Sequence, residues 1–146
     1  MYEDKIVGMG KELLLHDCTV KRIEISSQTI IFYFPDGFFI AAEERSIGIA
    51  RVEIVLDSIE YDMRCFYSEY IKKKPFEKSY YKTQEVSVEY LISLLQQNME
   101  FTVLKYGLWE SECLVHMIIE GKNAPRRAYI SLCIEMDDVK EMSFFY

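Results

Sequence analysis

Two histidines and four cysteines are the side chains best able to do chemistry in this chain. In His16-Asp17-Cys18, an imidazole beside a carboxylate can act as a base near neutral pH. The thiol two positions on could be its nucleophile, but acyl transfer also needs an oxyanion hole, and no motif supplies one. His116 lies between Val115 and Met117 and shares a strand face with Leu114 and Ile118. An apolar setting favours the neutral ring and obliges its nitrogens to find partners, so a hydrogen-bonded structural histidine is expected. Cys65 and Cys133 fall inside strand-like runs, a poor place for an exposed nucleophile. Zinc would want four ligands with local Cys or His spacing. His16, Cys18, Cys113 and His116 could meet only through the fold, and their spacing does not single them out.

Phosphate and serine chemistry find no support. Gly8-Met9-Gly10-Lys11 lacks the further glycine and the Ser or Thr of a phosphate cradle. No Gly-x-Ser-x-Gly elbow occurs. Acid pairs such as Glu43-Glu44, and the group Asp57, Glu60 and Asp62, are too numerous to single out a catalytic couple. For an enzyme without a motif, His16, Asp36, Glu43 and Glu44 are the residues to inspect. No metal, cofactor or catalytic residue is expected.

Recognition is better supported than catalysis. The chain carries 24 acidic and 17 basic side chains, a formal charge of -7. That balance suits solubility or a basic partner and does not suit a general nucleic-acid binder. The basic residues are unevenly spread. Residues 72–82 hold Lys72, Lys73, Lys74, Lys78 and Lys82 against Glu77 alone. Pro75 and the like charges predict a surface loop there, and an internal boundary would fall there. Phe76, Tyr80 and Tyr81 interleave with the lysines, and aromatics beside lysines can meet a partner protein or stack on bases. Trp109 follows Gly107-Leu108 in a predicted turn. Lys72, Lys73, Lys74, Phe76, Tyr80, Tyr81 and Trp109 are therefore the interface candidates. The expected partner is another protein or a second copy of this chain, with nucleic acid and membrane set aside.

The elements that would position these residues follow from periodicity. Residues 1–146 read as a single globular domain, aromatic at 14% and half hydrophobic, which favours strands. Ala50, Val52, Ile54 and Leu56 alternate with Arg51, Glu53 and Asp57, and Tyr61, Met63, Cys65 and Tyr67 share one face of a following run. The economical pairing makes these two runs adjacent antiparallel strands. Thr29 to Phe34 is apolar on both faces and reads as a central strand. Pro35-Asp36-Gly37 then predicts a turn into a hairpin with Phe38 to Ala42. Around Lys21-Arg22 the alternation slips, which predicts a bulge or a slipped strand start. Residues 87–98 predict a helix with Ser87 as N-cap and Leu91, Ile92 and Leu95 on its buried face. Strands follow near 101–106, 112–120, 128–136 and 139–145.

The resulting fold class is α+β: a mostly antiparallel sheet of about eight strands with one helix packed on it, and a β-sandwich as the alternative. Scattered cysteines, an acidic start at Met1-Tyr2-Glu3-Asp4 and short apolar runs predict reduced thiols, no exported leader, no membrane span and a cytoplasmic protein. In size, charge and β content the chain resembles small acidic bacterial immunity or adaptor proteins, which act by covering a partner. That likeness implies an inhibitor of a basic protein; no residue motif carries it, so no site is transferred. A protein-binding module is the leading expectation, beside a self-associating structural domain and an enzyme or small-ligand protein with a pocket lacking any motif.

Overall fold

Alternation of apolar and polar side chains does become strand structure, in two sheets. The computed structural model describes residues 3–6, 13–14, 17–37, 39–40, 49–72, 75, 78–108 and 112–145. In chain order the strands are β1 Glu3–Ile6, β2 Leu13–Leu14, β3 Thr19–Val20, β4 Arg22–Ile25, β5 Thr29–Phe34, β6 Phe39–Ile40 and β7 Ala50–Leu56. After the helical turn α1, Ile59–Asp62, come β8 Met63–Ile71 and β9 Tyr80–Val86. Helix α2 spans Val88–Gln96 and precedes β10 Glu100–Leu108, β11 Glu112–Glu120, β12 Ala128–Glu135 and β13 Val139–Phe145.

A five-stranded sheet runs β1-β13-β7-β5-β4, a six-stranded sheet runs β3-β10-β11-β12-β8-β9, and β2 pairs with β6 in a ladder of their own. Every pairing is antiparallel. The expected α+β class with a mainly antiparallel sheet therefore holds. The inner faces meet in one core: Ile30, Phe32, Val52, Ile54, Met142 and Phe144 from the first sheet, and Val103, Cys113, Met117, Ile130 and Leu132 from the second, are all buried. This face-to-face layering is how two half-buried sheets each hide their apolar side.

The slip at Lys21 is more than a bulge. Residues 17–20 pair with β10, where Asp17 N–H donates to Val103 O at 2.7 Å and Val103 N–H to Cys18 O at 2.9 Å. From Lys21 onward the chain pairs with β5 instead. One run of sequence thus serves both sheets and bends between them.

Two expected pairings and one expected loop are corrected. First, β7 and β8 are not neighbours; they belong to different sheets. Ser58 caps α1, its Oγ accepting from Tyr61 N–H and its own N–H donating to Asp62 Oδ2 at 3.0 Å. Ile59 is buried beneath. That helical turn redirects the chain into the second sheet and leaves Tyr61, placed on the buried face by periodicity, 80% exposed. Second, the Pro35-Asp36-Gly37 turn forms, with Gly37 N–H donating to Phe34 O at 3.0 Å and Gly37 at φ 79°. The hairpin does not: β6 pairs with β2, because β5 already has β4 on one edge and β7 on the other. Phe38, Ala41 and Ala42 lie outside the described residues. Third, the basic segment is not a loop throughout. Tyr80, Tyr81 and Lys82 begin β9, which lies alongside β8 without a break from Ile71 opposite Tyr80 to Cys65 opposite Val86. Residues 72–79 thus connect two neighbouring strands of one sheet.

Helix α2 forms where predicted. Ser87 Oγ accepts from Tyr90 N–H at 3.2 Å, and Asn98 ends the helix in the left-handed region at φ 62°. It packs against β4 of one sheet and β10 of the other. Val88, Leu91 and Leu94 are its buried residues, while Ile92 and Leu95 are only partly covered. Immediately beyond its end, Gly121 approaches Asn98. A Cβ there would stand 2.8 Å from Asn98 O, on a backbone at φ +128°. Gly121→Ala is therefore expected to destabilise the fold by about 1–3 kcal/mol in chemical denaturation. An unchanged midpoint would mean that the 121–127 turn moves away freely.

Candidate functional site

The outer face of the six-stranded sheet gathers polar and aromatic side chains that periodicity places there by default. On β8, Cys65 and Tyr67 point to the core, so Phe66, Ser68 and Tyr70 point out. On β12, Ala128, Ile130, Leu132 and Ile134 are buried and Tyr129, Ser131 and Cys133 alternate with them. Register then brings the rings together. Tyr70 lies opposite Tyr81, with ring centroids 5.4 Å apart. Tyr81 reaches Tyr129, two strands away, at 6.0 Å. The strand between them presents only Ser68, whose hydroxyl lies 2.7 Å from that of Thr83. Tyr129 stacks on His116 at 5.4 Å and an interplanar angle of 11°. Arg127 lays its guanidinium 4.8 Å from the Tyr70 ring. Tyr81 remains 50% exposed, and its hydroxyl pKa is raised, chiefly by desolvation and then by Tyr129.

His116 is half-buried on this outer face and not in the apolar setting its strand neighbours suggested. Its Nδ1 lies 3.1 Å from Ser131 Oγ and its ring is stacked on Tyr129.

The charges divide by position. Away from the end of the sheet where β8 finishes and β9 and β12 begin, five basic side chains are ion-paired. Lys21 meets Asp36 and Glu100, Arg22 meets Glu24, Arg51 meets Glu53, Arg64 meets Glu85 and Lys140 meets Asp57. At that end, Lys72, Lys78, Lys82, Lys122, Arg126 and Arg127 are exposed and make no ion pair among the described residues. The turn holding Lys122, Arg126 and Arg127 is tied to the end of β8, just before the lysine segment, by Tyr70 N–H, which donates to Arg127 O at 3.2 Å. Glu69 and Glu120 are the described acids nearest in register, and Glu69 accepts from the Tyr67 hydroxyl at 3.1 Å. Two segments about 50 residues apart in sequence thus bring cations to one end of the sheet, Arg127 on the side of the tyrosines and Lys82, opposite Glu69, on the side of Tyr67.

Elsewhere the surface offers less chemistry. A cleft of about 520 Å³ is lined by Ser26, Ser27, Ser58, Cys65, Glu85, Ser87 and Glu89. Four of its polar side chains already have structural work. Ser26 accepts from Thr29 N–H, Ser58 and Ser87 cap the helices, and Glu85 pairs with Arg64. Burial pushes the Cys65 thiol up to about 12, and Cys113 likewise to about 12, so neither supplies a thiolate near neutral pH. Cys133 is also raised, chiefly by desolvation and then by Glu112. Between the sheets a void of about 30 Å³ is lined entirely by apolar core side chains, which is a packing gap with no polar group to hold water. The described residues contain no group of three or more His, Cys, Asp or Glu able to hold a metal ion.

Of the interface candidates, Lys72, Tyr80 and Tyr81 are exposed at the cationic end. Lys73, Lys74, Phe76 and Trp109 lie outside the described residues, as do His16, Glu43 and Glu44. The structure adds Tyr70, Arg126, Arg127 and Tyr129, which the sequence reading did not single out. Arg126-Arg127 could have been noticed as a basic pair, but only strand register shows that it adjoins the lysines. Fold and site together define a two-sheet α+β protein with an aromatic, cationic sheet face. No protein-family model matches the chain, and no match was found among curated proteins or solved structures. No helix among the described residues is long and apolar enough to cross a membrane.

Proposed function

We propose that this chain is a cytoplasmic protein-binding module whose contact surface is the outer face of the six-stranded sheet around β8, β9 and β12. The observation that supports this reading is the division of charge: Lys21, Arg22, Arg51, Arg64 and Lys140 are ion-paired, while the cations at the end of the sheet near Tyr70, Tyr81 and Tyr129 make no ion pair among the described residues. Exposed aromatics next to unneutralised cations favour recognition of a partner, with the rings as anchors and the charges guiding encounter. This cationic end favours an acidic surface on that partner, even though the whole chain is acidic. A basic partner, which overall charge suggested, would meet repulsion here.

Nucleic acid fits this face less well. A base-stacking platform needs open ring faces. Here His116 covers one face of Tyr129, and Tyr70 and Tyr81 tilt against their neighbours at 58°.

Affinity capture from source cells tests the reading, using wild-type protein, Tyr81→Ala and the double variant Arg126→Glu/Arg127→Glu as baits. A protein retained by the wild type is expected to be lost from the charge-reversed bait and released as salt is raised. Its affinity for Tyr81→Ala should fall at least about tenfold. Identical capture by all three folded baits would place the contact surface elsewhere.

A further inference from the structure

β9 ends the six-stranded sheet, and among the described residues no strand pairs with its outer edge. Its side chains from Tyr80 to Glu85 are exposed. The other margins of the two sheets offer less: α2 packs against β4, β3 is two residues long, and β1, also at an edge, is four residues long against seven in β9. Proteins commonly blunt a free edge with proline, a bulge or charge. β9 contains no proline, and its register with β8 is unbroken. It carries Lys82 and Glu85, but Glu85 is held by both Arg64 Nε and Nη2 at 3.4 and 3.3 Å. The charge left open along the edge is therefore positive, and it adjoins the cationic end of the sheet.

Resting on the binding reading above, we infer that β9 receives an extended, acidic segment of a partner protein as an added strand. Backbone groups on the outer edge supply the ladder, as in other strand-addition complexes. Selectivity comes from charge. Lys82 within the strand, with Lys78 just before it, opposes a basic strand and attracts carboxylates. Tyr81 projects from the same strand and offers an aromatic contact to a side chain of the incoming segment. Lys82 thus discourages indiscriminate edge pairing while admitting an acidic strand.

Synthetic probes separate this inference from the broader reading. The first is a fluorescein-labelled peptide alternating Glu with Val and Thr. The second has prolines at alternate Thr positions, which preserve its charge and remove ladder donors. The third carries Lys for Glu, and the fourth is oligouridine. The acidic peptide should bind in a salt-dependent manner, with the proline version at least tenfold weaker and the Lys version silent. Lys78→Glu/Lys82→Glu should abolish binding, and β9 amides facing away from β8 should exchange more slowly in the complex. Equal binding of the first two peptides would overturn strand addition and leave the cationic face as the binding surface. Binding of oligouridine alone would overturn both. Silence with every probe overturns strand addition, and the capture experiment then judges the broader reading independently. A dimer of the free chain in sedimentation, with those same amides already protected, would make the occupant a second copy and also overturn this inference.

Discussion

Phe101→Ala is expected to cost about 3–5 kcal/mol in equilibrium unfolding, among the largest effects of any single truncation. Phe101 is fully buried at the start of β10. It lies opposite Val20 on one side and Ile119 on the other, so its ring stands where three strands of one sheet meet. Helix α2 packs against the same strand. Close packing leaves little room for neighbours to collapse into the space of a lost ring, and the cavity term adds to lost apolar burial. Half-buried Leu95, on the same helix as fully buried Leu91, is the control: Leu95→Ala should cost clearly less. A Phe101→Ala loss under about 1 kcal/mol would show that the junction of β3, β10 and α2 contributes little to the core.

Alkaline pH should weaken the fold through its buried acids. Cys65 and Cys113 rise from 9.0 to about 12 because burial disfavours the thiolate, and Tyr67 is raised by burial and then by its hydrogen bond to Glu69. Above pH 9 the unfolded chain loses thiol protons that the native state retains, so the unfolded state binds fewer protons and stability falls as pH rises. The contribution is fully present below about pH 9 and is lost towards about pH 12. Each thiol has an upper bound of about 4 kcal/mol. Denaturation midpoints measured from pH 8 to pH 11 should decline, and Cys65→Ala/Cys113→Ala should flatten that decline while lowering stability at pH 8. A slope unaffected by the double substitution would mean that both thiols reach solvent in the native protein.

Part of this architecture is local and was legible in the residues. Strict alternation in Ala50–Leu56 and Ala128–Glu135 predicts which side chains enter the core, because a strand presents successive residues to opposite faces. The same argument places Cys113, Met117 and Ile119 inward. Ser87 followed by an apolar stripe marks the start of α2, since its hydroxyl satisfies a helix N–H within one turn. These are short-range effects, and the chain carries them in adjacent residues.

Partner choice was not legible in the same way. Nothing between Ala50 and Ile71 distinguishes a hairpin from two strands in separate sheets until Ile59 is seen buried beneath α1. β9 escaped periodicity because an edge strand hides so little surface that its side chains need not alternate, and its lysine looked like loop chemistry. The cationic face depends on the same non-local choice. Tyr70 and Tyr81 meet across a hairpin, while Tyr129 and Arg127 arrive from a strand and turn about 50 residues later. The sequence by itself determined which side chains are apolar, where the chain turns and that the fold is sheet-rich. Only the tertiary structure decided which strands pair, because backbone hydrogen bonds are the same for every residue and the pairing is selected by how the inner faces fill one common core.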